Sequence, residues 1–432
     1  LHRVLKPTGS LYLHCDPTAS HYLKIILDGV FGPQNFRNEI VWKRTSAHSD
    51  AKRWSPVSDT LLYYVKSDKL VWNPQHGDHD PGYVASKYRY DDEDGRGPYQ
   101  LDNMTSPNPR PNLMYTWMGH ASPSLGWRYS QETMQKLHDE GRIWYPDNKD
   151  KRPRLKRYLN ENIGRILDTI WADIPPINSQ AAERMGYPTQ KPLALLERII
   201  AASSNAGDLV LDPFCGCGTT IDAAQRLERK WIGIDITHLA IALQKYRLQD
   251  AHPGLAIRVV GEPEDVGAAR QLAQDDRFQF QWWALSLIRA RPLGGEVGKA
   301  GKKGADKGVD GVITFMDEAG GKLKRAIVQV KSGKVSSRDI RDLVGTLNRE
   351  QAQIGLFVTL EEPTRDMVSE AASAGVYTAA WSQERYAAVQ ILTIAELLRG
   401  ARPKMPHAYG TFKDAPRATP ASAAEQQGME MD

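Results

Sequence analysis

The residues Asp208-Leu-Val-Leu-Asp-Pro-Phe-Cys-Gly-Cys-Gly-Thr-Thr220 carry the densest chemistry in the chain. Gly216 and Gly218 present no side chain, so the backbone can approach a ligand closely there. Thr219 opens a helix, and the first amides of a helix attract a carboxylate or a phosphate. Asp235 stands 17 residues after Gly218, where an open α/β sheet places the acid that holds ribose hydroxyls. Together these residues describe a site for an adenosine-bearing cofactor. A dinucleotide fingerprint wants a third glycine three residues after Gly218, and Ile221 stands there instead, which argues against NAD or FAD. A second constellation comprises Asp310, Gln329 and Lys331. Such an Asp on one strand, with Gln-x-Lys on its neighbour, suits metal-assisted phosphodiester cleavage. The Asp ligates Mg²⁺, the Gln aims at the metal or its water, and the Lys steadies the attacking hydroxide.

Short strands must hold both groups. Leu209 to Leu211 and Trp231 to Ile234 are apolar runs of the kind that fill a parallel sheet. Val309 to Phe315 and Ala326 to Lys331 read as strands, and Phe278 to Ile288 as an aromatic helix. At the amino end, Leu1 to Lys6 reads as the end of a helix, Pro7-Thr-Gly9 as a turn and Ser10 to His14 as a strand. Asp16-Pro17 then starts a helix to about Val30, with Leu23, Ile26, Leu27 and Val30 on one face. His14 and Asp16 lie at the carboxyl end of that strand and read as a strand end and a helix cap. At 432 residues the chain should hold two or three domains. Its formal charge of +4 is mild, so any nucleic-acid surface must be local. Three cysteines exclude a disulfide framework, and Cys215-x-Cys217 has no second pair to make a zinc site. No apolar run approaches 18 residues.

Asp212-Pro-Phe-x-Gly-x-Gly-Thr-Thr220, preceded by Thr189-Gln-Lys-Pro192, resembles the S-adenosylmethionine loop of β-type amino-group DNA methyltransferases. The resemblance implies a Rossmann-like S-adenosylmethionine-dependent methyltransferase sheet. It implies cofactor contacts from Gln190, Lys191, Pro192, Asp212, Phe214, Gly216, Gly218, Thr219 and Asp235. The stretch from Ser10 to Lys43 is similar to the family segment that follows its catalytic motif, Asp/Asn/Ser-Pro-Pro-Tyr/Phe. In that motif a side chain and a proline carbonyl accept the two N–H bonds of a base amine and aim its lone pair at the sulfonium methyl. The aromatic residue stacks on the flipped base. No such tetrad is found here; Asp173-Ile-Pro-Pro-Ile177 has one residue too many and no aromatic. Either the chain starts after that motif or the protein has lost it, and no residue is named as the catalyst of methyl transfer.

Residues 44–173 are read as loop-rich and fill the slot of the family's target-recognition region. Trp117, Trp127, Tyr129, Trp144 and Tyr145 interleave there with basic residues, a pattern that suits phosphate tracking and base stacking. Half of these aromatics are expected in a core. Lys149, Lys151, Arg152, Arg154, Lys156 and Arg157 are the expected DNA-backbone contacts.

Residues 262–277 read as a linker. From 278 to 400 the chain resembles the Mrr-type branch of the PD-(D/E)xK restriction nucleases, including Gly304-x-Asp-x-Gly-x-Asp-Gly311 and Gly355-Leu-Phe-Val-Thr359. The resemblance implies a smaller α/β restriction-endonuclease-like domain, with Asp310 as the Mg²⁺ ligand. Gln279 and Gln281 stand where that branch often has an acid. From 296 to 349 there are 12 Lys and Arg against 7 Asp and Glu, again pointing to nucleic acid. Residues 401–432 read as a disordered tail.

The expected protein is therefore an α/β methyltransferase of residues 1–261 fused to a nuclease-like domain. It would methylate a base amine in double-stranded DNA, adenine N6 in preference to cytosine N4, within restriction–modification in a prokaryotic cytoplasm at the nucleoid. Three alternatives stay open: a non-catalytic DNA-binding module, a bifunctional methyltransferase–endonuclease with an active nuclease, and an RNA or small-molecule methyltransferase.

Overall fold

The computed structural model describes residues 1–47, 52–178, 181, 183–185, 187, 189–293, 308–317 and 323–406. They form two compact units, one of residues 1–73 with 169–432 and one of residues 74–168.

The first unit opens with one turn, closed by Leu5 N to Leu1 O, over the residues read as a helix end. Strand β1 (Ser10–Cys15) leads to helix α1 (Pro17–Phe31), then β2 (Phe36–Lys43) and β3 (Ser58–Val65). Asp16 caps α1 by accepting the amides of Thr18 and Ala19, and Pro17 occupies the first helical turn, where its missing N–H costs nothing. Sheet order is β1-β3-β2, all antiparallel, so β3 is central and buried along nearly its whole length. This strand lies inside the stretch read as loop-rich from 44. Helix α1 turns Leu23, Leu27 and Phe31 onto β3, whereas Ile26 and Val30, expected on the same face, are exposed. A four-residue spacing gives one narrow stripe, and a three-stranded patch accepts only that stripe.

The second unit runs from β4 (His76–Gly77) to β8 (Arg165–Ile166), which pair antiparallel and bring its two ends together. Between them lie α2 (Pro81–Lys87), β5 (Tyr99–Asn103), α3 (Gln131–Asp139), β6 (Ile143–Trp144) and β7 (Arg154–Tyr158). Its sheet has the order β5-β7-β6. The core holds Met104, Trp117, Trp127, Met134, Ile143 and Leu155, with Tyr129 and Tyr145 packed on it. Of the five interleaved aromatics Trp117 and Trp127 are buried, while Tyr129, Trp144 and Tyr145 are partly exposed, close to the even division expected.

Back in the first unit, β9 (Ile170–Trp171) joins β2 in parallel. Then follow α4 (Leu193–Ser203), β10 (Leu209–Asp212), α5 (Thr219–Arg226), β11 (Lys230–Gly233) and α6 (His238–Ala251). Strands β10 and β11 are parallel neighbours joined by α5, the βαβ connection expected of a Rossmann-like sheet.

Residues 262–277, read as a linker, instead hold α7 (Val266–Asp275), capped by Asp265. Its Ala269, Leu272 and Ala273 enter a core with Phe280, Trp283 and Ala284 of α8 (Arg277–Leu287). An Ala-Ala-x-x-Leu-Ala run supplies an apolar stripe that a flexible linker would not need. The nuclease-like sheet has the order β12-β13-β14-β15-β18: β12 (Arg291–Pro292), β13 (Gly311–Phe315), β14 (Lys324–Lys331), β15 (Ile354–Thr359) and β18 (Val389–Thr393). β14, β15 and β18 are parallel, crossed by α9 (Ser337–Glu350) and α10 (Arg365–Ser373). A hairpin of β16 (Val376–Thr378) and β17 (Arg385–Ala387) precedes β18, and α11 (Ile394–Leu398) follows it. Of the tail from 401, Lys404 is tied to Gln390 of β18 through its N–H and its carbonyl. Residues 407–432 lie outside the described residues.

Candidate cofactor and nuclease sites

Asp212 ends β10, and its Oδ1 accepts the amide of Phe214 at 3.1 Å, which turns the chain into the loop. Cys215 N donates to Ile234 O, so the loop is stitched to the residue after β11. Gly216 has φ +50° and Gly218 has φ +77°, left-handed values that exclude an unstrained side chain at both. A Cβ on Gly218 would stand 2.5 Å from Gln244 Cγ, and one on Gly216 would stand 3.1 Å from Tyr187 Cε1. Gly218 is the cap of α5 and contributes no side chain, so the first amides of that helix carry no side-chain cap. Asp235 Oδ2 accepts Gly216 N at 3.0 Å, and its Oδ1 accepts the Thr237 amide and hydroxyl. Asp235 therefore ties the loop to the start of α6, and with Oδ1 accepting twice, its Oδ2 keeps a lone pair. Phe214 is 82% exposed beside these groups, an aromatic left open to a ligand. Thr219 is buried, and its hydroxyl accepts from Arg247 at 2.7 Å. Its side chain serves the fold and its amide is what remains for a ligand. Burial pushes the Cys215 thiol up to about 12, so both loop cysteines are inert packing groups, Cys217 being raised by burial too.

Gln190 spends its side chain on the preceding segment, accepting from Met185 N at 2.7 Å and donating to Glu183 O. Pro192 caps α4, and Glu183 accepts the amide of Leu193. Lys191 is held below its usual pKa by burial, with the Asp59 carboxylate opposing that shift. Asp59 is itself buried, with His14 Nε2 at 2.9 Å and Arg44 Nε at 3.1 Å. This His14–Asp59–Arg44–Lys191 group at the end of β1 is not legible in the sequence, where His14 reads as a strand end. Burial holds His14 below the usual histidine pKa, against the pull of Asp59. Asp16 behaves as the sequence suggests, as a cap.

In the second unit the six basic residues expected to meet DNA divide. Lys156 pairs with Asp92, Arg157 with Asp102 at 2.7 Å, and Lys149 Nζ reaches Met118 O. Lys151, Arg152 and Arg154 are exposed. Residues 74–168 contain 14 Lys and Arg and 14 Asp and Glu, so the unit carries no formal excess of either sign and any positive surface on it is local. Asp80-Pro-Gly-Tyr83 passes close to the missing tetrad, but Asp80 caps α2 by accepting the amide of Tyr83.

On β13 the pairing Gly311↔Val328 sets Asp310 opposite Gln329, one step beyond the last paired residues. Lys331, two residues on, shares that face. The structure thus brings the three nuclease residues together. Asp310 Oδ2 accepts the amide of Val330 at 2.7 Å, and Lys331 Nζ lies 3.9 Å from Asp339. Gln329 is buried, and its Oε1 has no hydrogen-bond partner. Among the described residues no three His, Cys, Asp or Glu side chains gather as a metal cluster. Gln279, one of the two residues at the acid position, caps α6 by accepting His238 N at 2.9 Å, so it belongs to the junction of the domains. Gly304 and Asp306 lie outside the described residues.

Comparison with known proteins matches residues 1–245 to a family described as DNA methylase and residues 273–389 to one described as restriction endonuclease. The Type II methyltransferase M.EcaI of Enterobacter cloacae is 33% identical over 238 residues, 54% of this chain and 52% of that protein. The Type II methyltransferase M.HpaI of Haemophilus parainfluenzae is 28% identical over 59% of this chain and 57% of its own length. The DNA adenine methyltransferase YhdJ of Escherichia coli K12 is 46% identical over 90 residues, 21% of this chain and 30% of its own. The chain spans about half the length of the first two.

Proposed function

The chain belongs to the DNA methylase family, and from that membership we propose that it binds S-adenosylmethionine for the methylation of an exocyclic amine in double-stranded DNA. The observation that carries the reading is the glycine loop between β10 and α5, with uncapped amides at its helix and Asp235 across from Gly216. The donor set fits the cofactor. The amides at the start of α5 suit a carboxylate, Asp235 Oδ2 has a lone pair for a ribose hydroxyl, and Phe214 offers a ring for the adenine. When bound, the cofactor would supply an electrophilic methyl. The residues here hold and orient it, while Lys191, partly buried beside Asp59, sets the charge at the carboxyl end of β1.

Adenine N6 is the preferred acceptor, supported by the 46% identity to a relative named for adenine. Residues 44–173 are assigned to target recognition, with Lys151, Arg152 and Arg154 as the exposed phosphate contacts. No residue in this sequence is assigned as the methyl-transfer catalyst, because the tetrad does not occur in it. The role proposed is restriction–modification in a prokaryotic cytoplasm.

The test is calorimetric titration of S-adenosylmethionine into the chain and into Asp235→Ala and Lys191→Ala. Saturable binding weakened in both supports the reading; a folded chain that binds nothing overturns it. A second activity, Mg²⁺-dependent cleavage by residues 278–400, is favoured by one observation. The unpartnered Gln329 oxygen stands with Asp310 and Lys331 on a single face. With one carboxylate in that set, Mg²⁺ would be held weakly, by Asp310 with the Gln329 oxygen. Absence of nicking of unmethylated DNA in Mg²⁺ or Mn²⁺ would leave this domain a DNA-binding one.

A further inference from the structure

Helix α6 buries two polar side chains, Gln244 and Arg247, one turn apart on the side that backs the cofactor loop. A buried guanidinium is unfavourable unless it is paired and hydrogen-bonded. Arg247 has such partners. Its Nη1 donates to Thr219 Oγ1 at 2.7 Å and to Cys217 O at 3.3 Å, and its Nε lies 3.4 Å from Asp222 Oδ2. Asp222 is 3% exposed and also meets Arg226 Nε and His252 Nε2, each at 3.0 Å. One carboxylate therefore faces two guanidiniums and an imidazole, beneath a helix end whose own amides are already positive.

The hydroxyl and the carbonyl that Arg247 holds belong to the two residues flanking Gly218, the cap of α5. A threonine hydroxyl at a helix start readily bonds back to nearby backbone groups. Arg247 engages that hydroxyl and Gly218, the cap residue, has none to offer, so α5 keeps its first amides without a side-chain cap. Gln244 adds a steric stop, with its Cγ filling the space where a Cβ on Gly218 would be. We propose that Arg247 is a positioning residue for the amino-acid end of the cofactor, fixing Cys217 and Thr219 so that the first amides of α5 meet its carboxylate. This rests on the cofactor reading above.

The experiment compares two probes on the full chain: S-adenosylhomocysteine, which has the amino-acid end, and 5′-methylthioadenosine, which lacks it. Affinities are measured by calorimetry, with competition for the weaker probe. In Arg247→Met the ratio of the two affinities should fall about tenfold, the equivalent of one well-placed hydrogen bond to a charged group. Arg247→Lys, which keeps the charge but loses the fork, should recover only part of it. Thr219→Val removes the hydroxyl and leaves the buried charges alone, so it carries the same test if the arginine variants fail to fold. A ratio unchanged in the folded variants, with both probes weakened alike, overturns the inference and leaves Arg247 a structural residue. A wild-type chain that binds neither probe overturns the cofactor reading itself.

Discussion

Gly218→Ala isolates what the glycine loop demands of its backbone. The new Cβ would meet Gln244 Cγ at 2.5 Å, well inside van der Waals contact, at a residue whose φ is +77°. The left-handed conformation costs a non-glycine residue roughly 1–2 kcal/mol. Forcing a methyl against a buried side chain adds about 1–3 kcal/mol. A loss of about 2–5 kcal/mol follows from adding the two. These parts separate because only the second involves Gln244. In a Gln244→Ala background the atom at 2.5 Å is gone and Cβ remains at 3.1 Å, so the alanine should cost mainly the conformational part, about 1–2 kcal/mol. Amide hydrogen exchange of the peptides covering 209–235 reads the local stability, which a melt of this multidomain chain would blur. An equal cost of Gly218→Ala in both backgrounds would refute the reasoning, since it would show that Gln244 does not press on the loop.

Two further outcomes follow from the charges. His14 is held below its usual pKa by burial, so the unfolded chain takes up its proton first as pH falls. Stability from this site is present above about pH 6.5, the ordinary histidine value, and is lost as pH falls below it. His14→Asn should flatten that acid limb in thermal melts from pH 7.5 to 5.5; an unchanged slope would show that another group sets it. Reversing Lys151, Arg152 and Arg154 to Glu should weaken duplex binding and lower the dependence of log K on log salt by about 0.9 for each phosphate no longer neutralised. The same reversal at Lys156 and Arg157, already paired with Asp92 and Asp102, should change the salt slope less. Equal effects from both sets would contradict the division.

What the sequence discloses about this protein follows from the range of each interaction. The glycine loop and Asp235 lie within one βαβ unit, so spacing alone places them, and the structure brings Gly216 N to Asp235 at 3.0 Å. The strands of the nuclease-like domain are legible for the same reason, as is the shared face of Gln329 and Lys331, which is a matter of alternation. Interactions between distant segments leave no such trace. Arg247 reaches Thr219 across 28 residues, and His14 reaches Asp59 across 45. Each of these residues sits in an ordinary helix or strand pattern that gives no sign of its partner.

Helix α7 escapes a sequence reading for a different reason. Its flanking Pro, Glu and Asp resemble a linker, while the Ala269 to Ala273 stripe needs α8 beside it before it reads as core. The cofactor contact implied for Thr219 shows the same limit at a single atom, since its hydroxyl is taken by Arg247. A hydroxyl at a helix start can serve a ligand or the fold with the same local sequence, and the choice is made by a guanidinium on the following helix. In Arg247→Met the hydroxyl loses that donor, so amide exchange at 217–222 should quicken while S-adenosylhomocysteine affinity falls relative to 5′-methylthioadenosine, and unchanged exchange with an unchanged affinity ratio would refute the assignment.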